Sequence, residues 1–120
     1  MNLFKVTIPK ESHVLLLEDS DMRVLWFNKK IKNLKVVASV KEFKEYFDTR
    51  PIVDFIFYDN DLGDGNGTGL EAIQFMKEKF GDGNRWGLIH SWNRPAAQQM
   101  MLLYPSIPHI PFGEFDIEEV

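Results

Sequence analysis

Short apolar runs and stretches of helical periodicity alternate along the whole chain. Residues 3–8 alternate apolar and polar, the pattern of a short strand, and Pro9-Lys10-Glu11-Ser12 breaks it. Residues 13–17 form an apolar run suited to a strand covered on both faces, and they lead into Glu18-Asp19. Asp19 or Ser20 is placed to cap a helix over about 21–30, with Met22, Leu25 and Trp26 on one face. A second strand over 34–38 leads to Ser39, which caps a helix carrying Val40, Phe43 and Phe47 at i, i+3 and i+7; Arg50-Pro51 ends it. Residues 53–58 are a third strand. Thr68-Gly69-Leu70-Glu71 then reads as a capping box opening a helix with Leu70, Ile73, Met76 and Phe80 on its apolar face. After a turn at Gly81-Asp82-Gly83-Asn84, residues 86–89 are a fourth strand. A helix begins at Asn93 or Arg94, has Pro95 in its first turn, buries Ala97, Met100, Met101 and Tyr104, and stops at Pro105. Residues 107–110 predict a short fifth strand.

Strict alternation of strand and helix predicts a parallel sheet with right-handed crossovers. Counting from residues 13–17, five strands of this size favour the order 2-1-3-4-5 in a three-layer α/β sandwich. The first and third strands are then neighbours at the switch point, so Glu18-Asp19 and Asp59-Asp61 meet at one edge, joined by His90-Ser91 from the fourth. The expected organisation is one domain over 1–120, with 1–12 an N-terminal extension. Residues 112–120, with four acids and no base, are expected as an acidic tail or a short packed segment.

Composition narrows the partners. An apolar content of 44% with 27% charged residues argues against disorder, and a formal net charge of −4 disfavours general binding to a nucleic-acid backbone. There is no cysteine, which removes disulfides and thiolate metal sites. No signal-peptide apolar region opens the chain, and its longest aliphatic run, Val14-Leu15-Leu16-Leu17, is far too short to span a bilayer. The expectation is a cytoplasmic protein with no membrane partner, of open oligomeric state.

Four carboxylates in one crevice repel one another unless protonated or neutralised, and Mg²⁺ is the simplest neutraliser. Asp19 and Asp59 are expected as direct ligands, with Glu18 acting through water. Of Asp59 and Asp61, one suits a nucleophile or ligand and the other a general acid or base. His90 suits proton transfer near neutrality, while Ser91 and Asn93, beside a helix start, suit phosphoryl oxygens. Trp92 interrupts this polar run and is able to stack on a base. Arg23, one helical turn beyond the acidic pair, fits either a phosphate contact or an ion pair. The glycines at 63, 65, 67 and 69 also fit a merely flexible loop. A calcium loop begun at Asn60 fails, because Leu62 takes its third position. Asp64 and Asp82 read as solvated turn residues, and His13 and His109 as structural or surface residues.

The segments LLLEDS, FIFYDNDLG, LIHS and IPF resemble, in order and over nearly the whole chain, the layout of response-regulator receiver domains, which implies a receiver-like (flavodoxin-like) fold. Glu18, Asp19, Asp59 and Ser91 fit that layout, but Ile110 precedes Pro111 where those domains carry lysine. A closer resemblance is to the cyclic-phosphate-processing receiver domains associated with RNA repair. It is carried by Glu18-Asp19 with Arg23, Asp59-Asn60-Asp61-Leu62-Gly63, Thr68-Gly69 and His90-Ser91-Trp92-Asn93. Asn60 replaces that family's histidine, and Glu18 replaces its first aspartate. The resemblance implies a Mg²⁺-dependent phosphoesterase acting on a 2′,3′-cyclic phosphate RNA end or a cyclic nucleotide. Arg23, Thr68, Ser91, Trp92 and Asn93 would bind substrate, Asp61 would be the base, and His90 would protonate the leaving oxygen. A non-catalytic nucleotide- or partner-binding module and a degenerate phosphoacceptor domain are the alternatives.

Overall fold

The structure, a computed structural model, describes residues 3–81 and 86–120. Most of the turn expected at Gly81-Asp82-Gly83-Asn84 lies outside the described residues. In chain order the elements are β1 (Phe4–Ile8), β2 (Val14–Leu17), α1 (Asp21–Lys30), β3 (Leu34–Val37), α2 (Val40–Asp48) and β4 (Phe55–Tyr58). α3 (Gly69–Phe80), β5 (Trp86–Ile89), α4 (Arg94–Leu103) and β6 (Phe115–Glu119) complete them. Four strands form a parallel sheet in the order β3-β2-β4-β5, which is the expected arrangement for its first four strands.

The pairing register positions everything that follows. Leu17 lies opposite Val37 on one side and Tyr58 on the other, and Tyr58 lies opposite Ile89. The strands therefore end level, so Glu18, Asp59 and His90, each the next residue, leave the sheet side by side. Side chains alternate across the strands. Leu15, Leu17, Ile56, Tyr58 and Ile89 share one core with the inward faces of α2, α3 and α4. Val14, Leu16, Phe57 and Leu88 share the other with Phe27 and Ile31 of the α1 region and with Ile8, Phe115 and Ile117. The expected three-layer α/β sandwich is thus realised, with one layer shared between α1 and a β-ribbon.

Two local expectations change, and the open alternative for residues 112–120 is resolved. Residues 107–110 make a single bridge, His109 to Ile89, rather than a full fifth strand. Pro108 lies within the segment and Pro111 follows it, and neither has an N–H to offer a ladder, although Ile110 still donates to the Ile89 carbonyl at 3.0 Å. Residues 115–119 form β6, which pairs in parallel with β1 from Phe4↔Phe115 to Ile8↔Glu119. Its acids alternate with buried Phe115 and Ile117, so a segment that looks acidic in one dimension is amphipathic at strand period. On α1 the buried residue is Phe27, whereas Met22 and Leu25 are exposed. The helix is rotated so that Arg23 and Phe27, one turn apart, turn toward the sheet and its carboxyl end.

Helix ends follow the sequence closely. Ser20, Ser39, Thr68 and Asn93 each accept from a backbone N–H three residues on, as N-caps do.

Phe115 packs against Phe57 at 6.0 Å and Trp26 at 5.7 Å between ring centroids. Truncating it to alanine should therefore lower stability by about 3 kcal/mol or more in urea unfolding. Met22→Ala should change stability by less than about 0.5 kcal/mol. Equal costs at the two positions would contradict the assigned faces.

Candidate active site at the carboxyl end of the sheet

Glu18, Asp59 and His90 each offer a ligating atom within 4.8 Å of the other two, in a cluster from which solvent is nearly excluded. Glu18 is 1% exposed, Asp59 4% and His90 0%. His90 Nε2 lies 2.9 Å from Glu18 Oε1, while its Nδ1 is buried without a hydrogen-bond partner among the described residues. The rings of Phe27 and Phe57 lie 5.3 and 6.4 Å from the imidazole. The positive charge is Arg23, whose Nη1 stands 3.6 Å from Glu18 Oε1 and 3.9 Å from Asp59 Oδ2.

Two carboxylates share this dry space with one guanidinium, and their proton affinities respond. Burial raises Asp59 to about 7, and the neighbouring Glu18 charge adds to it. Burial raises Glu18 too, opposed by the Ser20 backbone N–H. His90 is lowered to about 4 by burial, so its imidazole is neutral at pH 7. This corrects the expectation that His90 carries a proton to a leaving group near neutrality: an apolar, solvent-free pocket disfavours the imidazolium, and the ring is committed to Glu18.

The other residues form a rim. Asp61 is exposed, and its Oδ1 accepts from Asn60 Nδ2 at 3.1 Å and from Asn93 Nδ2 at 3.2 Å. Asn60 is buried; its N–H donates to Asp59 Oδ1 at 2.8 Å, and its Oδ1 accepts from the Leu70 N–H at 3.0 Å. Asn60 thus ties the acidic loop to the start of α3. Asp19 is exposed at the rim, its Oδ2 facing Gly63 and its charge acting on Glu18. Thr68 is occupied as the α3 N-cap, accepting from the Glu71 N–H at 3.3 Å. Ser91 is buried, and its Oγ accepts from the Asn93 N–H at 3.0 Å. Trp92 is 66% exposed and donates from Nε1 to the Phe112 carbonyl at 2.8 Å. Arg23 lies against both aromatic rings. Sequence reasoning missed Phe112, since nothing in its local pattern places it against a residue on the first helix.

Residues 14–105 match the family described as the cyclic-phosphate processing receiver domain. The chain belongs to this family. No curated protein matches the chain. Solved receiver structures share the fold of this cyclic-phosphate-processing domain. The phosphorylated cyanobacterial phytochrome response regulator RcpA superposes with a TM-score of 0.68 at 15% identity, covering 83% of this chain and 79% of that one. TrrA from Thermotoga maritima, solved with Mg²⁺-BeF, gives 0.64 at 13%, covering 85% and 89%. A receiver protein from Pseudomonas putida gives 0.65 at 13%, covering 84% and 85%.

The buried charges predict a pH signature for this receiver domain without metal. Asp59 holds its proton more tightly folded than unfolded, so its contribution to stability is present below about 3.8 and is lost as pH rises to about 7. His90 acts oppositely, its contribution being lost as pH falls from 6.5 to about 4. Asp59→Asn, which keeps the Asn60 contact and removes the charge, should raise the metal-free Tm by several degrees at pH 8. That advantage should shrink toward pH 4. A lower Tm than wild type at pH 8 would show that the carboxylate pair is not strained.

Proposed function

We propose that this domain is a Mg²⁺-dependent phosphoesterase that opens a cyclic phosphate, either a 2′,3′-cyclic phosphate at an RNA end or a cyclic nucleotide, in the manner of an RNA-repair enzyme. The observation that carries the proposal is the buried Glu18–Asp59 pair, in which burial and the adjacent Glu18 charge hold Asp59 near a pKa of about 7. Such a pair is short of positive charge, and its oxygen donors suit a hard cation that takes one or two carboxylates and keeps its waters. Glu18 and Asp59 would hold the ion, with Asp19 within reach at the rim. When bound, Mg²⁺ supplies polarisation of the phosphoryl group. His90 has a supporting role: Nε2 at 2.9 Å fixes the Glu18 carboxylate.

The chain's own groups divide the remaining work. Asp61, exposed and oriented by the Asn60 and Asn93 amides, would take a proton from an attacking water. As the water oxygen bonds to phosphorus, the ring P–O bond breaks, and the proton ends on the leaving oxygen. Arg23, Ser91 and Asn93 would contact the non-bridging oxygens, Trp92 would stack on a base, and Thr68 would act by fixing the start of α3.

A second reading, capture of a nucleotide without turnover, is favoured by Asn60, which brings an amide held by Leu70 where the family has an imidazole. Phosphoacceptor signalling is disfavoured by Ile110, and a stable adduct on Asp59 after acetyl phosphate treatment would revive it.

Incubation with 2′,3′-cyclic and 3′,5′-cyclic nucleotides, scored for both binding and product, separates these readings. Hydrolysis should require Mg²⁺, and Asp61→Asn should lower it about 10²-fold with little change in nucleotide affinity. Asp59→Asn should abolish Mg²⁺ binding by calorimetry. Tight binding with no product from any cyclic nucleotide would replace the hydrolase by the binding module.

A further inference from the structure

Arg23 is held in an unusual way. Its side chain is 18% exposed, yet among the described residues no hydrogen bond engages its guanidinium, because both carboxylates lie beyond hydrogen-bonding distance at 3.6 and 3.9 Å. Two aromatic rings hold it instead: Cζ is 4.4 Å from the Trp92 ring centroid and 5.0 Å from that of Phe112. A cation–π contact holds a guanidinium without occupying any of its N–H donors, so those donors are available for two-point recognition of an oxyanion.

Both rings are themselves anchored. Trp92 Nε1 donates to the Phe112 carbonyl at 2.8 Å, and the Phe112 N–H donates to the His90 carbonyl at 2.8 Å. Phe112 also meets Trp26 edge-on at 5.2 Å. The chain from the His90 backbone through Phe112 to Trp92 closes on Arg23 from outside the carboxylate pair. An exposed tryptophan thus has one ring edge bonded to the main chain and the guanidinium over its ring.

We infer that Trp92 and Phe112 are positioning residues that hold the Arg23 guanidinium beside Glu18 and Asp59 as the phosphoryl-binding fork of the site. The inference rests on the proposed reading only in taking the ligand to be a phosphoryl group. Trp92 acts on that group through Arg23, so its effect extends to ligands with no base to stack.

The test is a double-mutant cycle read with inorganic phosphate in the presence of Mg²⁺, together with the NMR signal of the Arg23 side-chain N–H. Trp92→Ala should weaken phosphate binding about fivefold or more, and Trp92→Phe should restore most of it. In an Arg23→Ala background, Trp92→Ala should add nothing. Phe112→Leu, a milder change at a less exposed position, should reproduce part of the loss, and either truncation should shift the Arg23 N–H resonance. Unchanged phosphate affinity in Trp92→Ala, or losses that add in the double variant, would overturn the inference. So would a loss confined to 2′,3′-cyclic AMP, which would leave Trp92 its base-stacking role alone. Failure of the wild type to bind phosphate would overturn it as well. Phosphate binding without turnover of any cyclic nucleotide would leave the clamp standing and defeat only the hydrolase reading.

Discussion

Repulsion between two carboxylates in a space almost closed to water is the constraint on which this molecule turns. Ionised carboxylates are rarely buried unless something compensates them, and here the compensation is partial. Arg23 approaches both without bonding to either, and His90 contributes a neutral hydrogen-bonding group. What remains uncompensated shows as the raised proton affinity of both carboxylates. Level strand ends impose this proximity: with Leu17, Tyr58 and Ile89 in register, the residues after them have nowhere to diverge.

The rest of the architecture keeps that edge closed. The sheet faces are filled by two separate apolar clusters, and the second reaches up to the site through Phe27 and Phe57, whose rings line the His90 imidazole. The apolar wall that stabilises the domain is therefore also what keeps His90 neutral. The β1–β6 ribbon takes part through Phe115, which stacks on Phe57 at 6.0 Å between centroids.

What the sequence disclosed and what it concealed divide along physical lines. Signals local in the chain were legible: the caps at Ser39 and Thr68, the Val40–Phe43–Phe47 stripe and the strand ends at Glu18, Asp59 and His90 all depend on near neighbours. Rotation of α1 was less legible, because Met22 and Leu25 share a helical face as plausibly as Phe27 and Ile31 do, and only packing decides between them. Pairing of residues 4–8 with 115–119 joins opposite ends of the chain, and period-2 alternation names no partner. The state of His90 was hidden for the same reason. Its charge depends on Phe27 and Phe57, neither of them close to it in sequence.

Gly69 carries a consequence for how the site moves. A β-carbon there would collide with the Asp59 carbonyl oxygen, so main chain meets main chain with no side chain between. The Gly69 N–H also donates to the Asn60 carbonyl at 3.0 Å. Such a joint has no rotamer to absorb a displacement. Any displacement of the Asp59 backbone would pass as a rigid push to the first turn of α3, the helix against which α2 and α4 pack. The acidic loop is thus geared to the helical layer, and an event among a few buried oxygens has a mechanical route to a surface far larger than the site.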